Sequence, residues 1–252
     1  MKKIIGLLLL AALISVAVPQ SALATGTPIP GIDISIGTSD EPGDTVSTLS
    51  IVLMLTVLSL APAILIMMTS FTRIVIVLGF VRMSLSTQQM PPNQVLIGLA
   101  LFMTLFVMAP TIGEINETAL QPYMEGELTQ TEALNEAAVP LKKFMASHTR
   151  EKDLLLFLEY GNIPRPASYE DIPLTALVPA FAISELKTAF QMGFLIFIPF
   201  LVIDMVVAST LMAMGMMMLP PVMISLPFKI LLFVLVDGWY LVVKSLLVGF
   251  TT

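Results

Sequence analysis

Four long apolar runs constrain this chain more than anything else in it: residues 49–68, 95–112, about 190–219 and about 223–250. A helix needs about 20 consecutive apolar residues to cross a bilayer, and it satisfies its own backbone polar groups on the way. Of the 252 residues, 56% are hydrophobic and only 12% are charged. Soluble domains carry about 25% charged residues, so the chain reads as an all-α membrane protein with four hydrophobic helices. The net charge of −6 and the scattered Lys and Arg exclude a nucleic-acid partner, which needs a concentrated basic face.

The N-terminus adds a targeting signal. Lys2 and Lys3 precede an apolar stretch over residues 4–18, and Ala22-Leu23-Ala24 supplies a small-x-small cleavage site. The apolar stretch is too short to span, and Pro19 interrupts it. Residues 1–24 therefore read as a signal peptide cut after Ala24, and residues 25–48, rich in Gly, Pro, Ser, Thr and Asp, as a flexible tail.

Residues 49–112 read as a first hydrophobic hairpin. Within it, the stretch 74–81 between Arg73 and Arg82 is too short to span alone; it extends the first helix or lies at the interface. Residues 113–187 hold twelve acidic and six basic residues, with helix-permissive runs at 132–146 and 151–160, and read as a small helical domain outside the bilayer. Residues 188–252 form a second hairpin, divided at Pro220-Pro221. A cleaved signal puts the tail and the acidic domain outside. The loop 70–94, with two arginines and no acid, is then cytoplasmic, in accord with the positive-inside rule.

Asp204, Asp237, Lys229 and Lys244 lie inside the apolar runs of the second hairpin. A charge at the bilayer centre costs about 2.5–3.5 kcal/mol, so each should face protein or water. On one continuous helix Lys229, Asp237 and Lys244 would share a face. Paired burial between helices is the simpler reading. A proton or ion relay through Asp204 and Asp237, as in a solute transporter, is the competing one, and two carboxylates make a thin relay. Catalysis has little to draw on. There is no cysteine, and the lone His148 sits in a polar stretch that reads as solvated surface, so no metal or other cofactor is expected.

Residues 212–219, MAMGMMML, precede Pro220-Pro221. Successive helical residues turn by about 100°, so three adjacent methionines cannot share one helix face. They read as a loop between two helices, where flexible thioethers make a deformable apolar surface.

Four stretches resemble the FliP family of flagellar type III export-gate subunits: TSFTRIVIVLGFVR at 69–82, QMPPNQVLIGLAL at 89–101, PAFAISELKTAFQMGFLIFIPFLVIDMVV at 179–207, and MGMMMLPPVMISLPFKILLFVLVDGWY at 214–240. The resemblance implies a non-enzymatic channel subunit that assembles as a pentameric ring with FliQ and FliR, the equivalent subunit of a virulence injectisome being the alternative. It also implies FliO as assembly factor, FlhA and FlhB nearby, and unfolded flagellar proteins as cargo. It makes Met216, Met217 and Met218 the narrow point of a pore. It gives Glu185 and Lys229 inter-subunit or gating contacts, and marks Phe144 and Phe157 as apolar contact positions. It implies placement in the bacterial inner membrane, and helices that rise largely above the membrane plane, where Asp204, Asp237 and Lys244 would be buried against protein.

Overall fold

The computed structural model describes residues 42–87, 89–216 and 218–251, so the signal segment with Ala24, and Met217, lie outside the described residues. Two compact units divide the chain, 1–55 and 56–252. The described part of the first is the opening of helix α1 (Pro42–Met67), which starts seven residues before the apolar run, inside the segment read as a tail.

In the second unit α1 ends at Met68-Thr69-Ser70, where the Thr69 hydroxyl donates to the Ile66 carbonyl at 2.9 Å. Helix α2 (Phe71–Ser84) then starts afresh. It is neither a continuation of α1 nor an interfacial helix. Its Ile74, Val77, Leu78 and Val81 recur at helical spacing and are fully buried in the main core. Leu96, Ala100 and Met103 from α3 (Asn93–Ile115) meet them, as do Ala189 and Phe200 from α7 (Leu174–Ala213), Phe233 from α8 (Pro221–Leu235), and Val242 and Leu246 from α9 (Gly238–Val248). The α2–α7 approach is close. A Cβ on Gly193 would overlap the Phe80 ring, and Phe80 meets Phe190 edge-on at 5.3 Å.

Helix α3 passes through a π-helical turn at Asn116–Leu120 into the short α4 (Gln121–Met124). Helices α5 (Gln130–His148) and α6 (Glu151–Tyr160) follow, and α5 opens on a capping box between Thr129 and Glu132. Here a second apolar cluster forms from Met68, Met145, Ile172, Leu177 and Phe181.

Helix α7 is 40 residues long, about 60 Å, twice a hydrocarbon core. Its first half carries Ser184, Glu185, Lys187, Thr188 and Gln191; from residue 192 to its end the only charge is Asp204. The first half therefore packs on the polar domain, and the second half is the length of a membrane crossing. Among the described residues two helical stretches are long and apolar enough to span, Asn93–Met124 and Leu174–Ala213, and three if α8 and α9 count as one bent span. Among the described residues α1 adds a shorter apolar stretch, Val52–Ile64, and the last of the four apolar runs is broken. Chain direction reverses to left-handed at Asp237 (φ 51°, ψ 53°), and α8 and α9 diverge by 62°. Gly238 is required at this joint, since a Cβ there would overlap the Phe233 ring.

Candidate functional site

Helix α7 ends at Ala213, the chain turns at Gly215 (φ 73°), and α8 starts at Pro221 with its fixed φ in the first helical turn. Met216 is exposed, and Met218 is 98% exposed. Apolar side chains presented this way at a hairpin tip have no stability role within the chain.

About nine residues back along each helix, a buried polar bridge joins the two arms. Lys229 on α8 is 1% exposed and donates to Asp204 Oδ2 on α7 at 2.6 Å. It also donates to Ser86 Oγ at 2.7 Å. Asp204, 23% exposed, accepts from Ser225 Oγ at 2.5 Å. Ser86 follows α2 and holds a left-handed conformation (φ 58°), so Lys229 fastens the α2–α3 loop to the hairpin as well. Pairing is what permits a lysine to be this deeply buried. Ser225, four residues before Lys229, was legible as sharing its face; nothing in the sequence singles out Ser86.

At the other end of α2 lies a second buried pair. Glu185 is fully buried and Arg73 is 4% exposed. Arg73 Nε donates to Glu185 Oε2 at 2.8 Å, Nη2 to Oε1, and Nη1 to the Gly249 carbonyl at 2.9 Å. The guanidinium lies 3.9 Å from the Phe250 ring centroid. Glu185 thus has its partner within the chain. Arg73 and Arg82 both lie on helix α2 and not in a loop. Arg82 donates to Asn93 Oδ1 at the start of α3.

Beside this clamp, the rings of Phe144, His148 and Phe250 pack together, with Phe144 4.7 Å and Phe250 5.3 Å from His148. His148 is not solvated surface: it is half-buried, its Nδ1 faces the Phe144 carbonyl at 2.8 Å, and its Nε2 is shielded from water without a partner. Phe144 also meets Phe181 at 6.0 Å. Phe157 is half-buried on α6. The turn between α5 and α6 is tied to α7 by Ser184, whose hydroxyl donates to Asp153 Oδ2 at 2.7 Å and accepts from the Arg150 amide at 3.1 Å.

Asp237 and Lys244 do not join the buried network. The 62° bend takes them off the Lys229 face, and both are exposed in the single chain. No cluster of three His, Cys, Asp or Glu able to hold a metal occurs among the described residues.

Long apolar helices pinned to one another by two buried ion pairs, with an exposed methionine tip, define a membrane-embedded helical scaffold. The chain belongs to the FliP family, whose model matches residues 54–246. It is 68% identical over 217 residues to the flagellar biosynthetic protein FliP of Bacillus subtilis (strain 168), covering 86% of this chain and 98% of that protein. The FliP proteins of Caulobacter vibrioides and Aquifex aeolicus are each 50% identical. The first alignment covers 96% of this chain and 88% of the relative, the second 86% and 90%.

Proposed function

We propose that this chain serves flagellar biosynthesis as a channel-forming subunit of the type III export apparatus. Several copies assemble as a ring with FliQ and FliR in the inner membrane, FliO assists, and FlhA and FlhB stand nearby. Unfolded flagellar proteins pass through. Residues 113–187 and the mature N-terminus face the periplasm. The proposal needs no catalytic residue. Its main support is the hairpin tip, where Met218 stands exposed, on arms held together by Lys229 and Asp204. In a ring of copies these tips converge, and Met216, Met217 and Met218 close the passage as a soft apolar seal. The relatives' description as flagellar biosynthetic proteins gives the system.

The test is replacement of Met216, Met217 and Met218 by alanine in the native strain. A proton- and ion-permeable membrane with the protein still present is the expected result. An unchanged permeability sinks the seal. Purification of the wild-type chain with FliQ and FliR should give a particle of several copies, and a lone monomer would end the ring reading.

A further inference from the structure

The end of α3, its π-helical turn and α4 form one wall of an open groove of about 350 Å³, and α5 forms the other. Ala119, Leu120 and Tyr123 line the first wall, and Ala133, Leu134 and Ala137 the second. The sequence leaves this space open. Alanines stand on both walls where larger side chains would fill the gap between the helices. Leu120, Tyr123 and Leu134 are exposed beside them. Two helical walls with small residues between exposed large apolar ones have the shape that receives the apolar face of a third helix.

The charge along these walls has one sign. Residues 113–141 carry six glutamates and no basic residue, as much negative charge as the net −6 of the entire chain. Lys143 takes up Glu114 at 3.4 Å, and Glu132 is held in the α5 capping box. Glu117, Glu125, Glu127 and Glu136 are exposed, with no basic group within ion-pair distance among the described residues. Glu125 and Glu127 lie in the turn that joins the two walls, and Glu136 adjoins Ala137 on α5. Such a field selects a partner of opposite sign. A second copy of this chain answers it poorly. Lys142 and Lys143 already donate to the Glu170 carbonyl and to Glu114, and α6 carries three acids to one lysine.

We propose that this groove docks an amphipathic helix of a different protein, with its apolar face on Leu120, Tyr123 and Leu134 and with Lys or Arg along its flanks. The site depends neither on where the bilayer lies nor on the ring of copies. The probe is a fluorescent peptide of about 14 residues, four helical turns, built from Leu and Lys in helical register, with a Leu and Glu peptide as its counterpart. Anisotropy is read with the full-length protein in a non-ionic detergent, after subtraction of the signal from empty micelles. Wild type should bind the Lys peptide about tenfold more tightly than the Glu peptide at low salt, the sum of several exposed charge contacts, and the gap should close as salt rises. The triple variant Glu125→Gln, Glu127→Gln and Glu136→Gln should lose the preference. Glu151→Gln, Glu159→Gln and Glu170→Gln together remove the same charge away from the groove and should keep it. Ala133→Trp, which fills the groove, should weaken both peptides.

Equal binding of the two peptides by wild type overturns the proposal. Equal loss in the two glutamine triples would reduce the effect to net charge and also overturn it. A change of oligomer size in Ala133→Trp with peptide affinity intact would make the groove an interface between copies instead. The three glutamates of the groove are exposed, so their triple decides the matter even if Ala133→Trp does not fold. A monomeric preparation that still tells the two peptides apart, and loses the distinction in that triple, would uphold this site while ending the ring reading.

Discussion

Arg73 holds three acceptors and a ring at once, and it is the residue whose loss should be felt most widely. Arg73→Met leaves Glu185 buried without a partner, and Glu185→Leu does the same to Arg73. Removing one member of a buried pair costs about 3–5 kcal/mol. Each single variant should therefore melt much earlier in detergent than wild type. The double variant should recover most of the loss, because two apolar side chains of similar volume replace two charges. A double variant no better than the singles would show that the carboxylate has a further partner beyond this chain. Gly193 is the steric counterpart. Gly193→Ala pushes against Phe80, and overpacking of this kind costs about 1–3 kcal/mol, readable as a lower melting temperature.

At the scale of the element, the joint at Asp237 decides between two uses of that carboxylate. Its left-handed backbone marks a bend, a role in the fold that needs no proton transfer. Asp237→Gly and Asp237→Asn should keep flagellar assembly, since both residues tolerate this conformation, whereas the β-branched Asp237→Val should lower the melting temperature. Complete loss of assembly in Asp237→Asn with normal protein levels would restore the relay. Helix α5 gives a pH prediction. The Thr129 amide and then its hydroxyl donate to the Glu132 carboxylate, at 2.9 and 2.7 Å, and hold that carboxyl below the usual glutamate range. A carboxyl that ionises more readily folded than unfolded stabilises the cap above its unfolded pKa. That contribution fades as pH falls through the folded value. Amide exchange at the start of α5 should accelerate on acidification through the glutamate range, and Glu132→Gln should flatten that response. The capping box itself was open to reading, as Thr129 and Glu132 stand three apart before an apolar pattern. The joint was not, because a continuous apolar run from 223 to 250 carries no hydropathy signal where backbone conformation changes. Only the Asp-Gly pair hinted at it.

For the whole molecule, the two buried pairs sit at opposite ends of α2, so this one helix connects the level of the polar domain to the base of the methionine hairpin. Lys229→Met should loosen both the hairpin arms and the Ser86 loop, and cysteine cross-linking across α7 and α8 should report a wider spread of distances than in wild type. An unchanged spread would leave Lys229 with no bracing role. The all-α membrane class was evident from hydropathy and charge content alone. The place of α2 was not: the stretch 74–81 was read by length against a bilayer, and burial inside the protein is invisible to that measure. For the same reason Arg73 passed for a loop cation when its partner lay 112 residues away.

That separation has a consequence for how the chain is made. Translation proceeds at about 5–20 residues per second, so roughly 6–22 s pass between emergence of Arg73 and emergence of Glu185. During that interval a guanidinium destined for the interior has no carboxylate to neutralise it. Until Glu185 is made, the nascent α2 lacks the partner that Arg73 has in the folded chain. Slowing synthesis between residues 73 and 185 should lengthen the exposure and increase proteolysis of the unfinished chain.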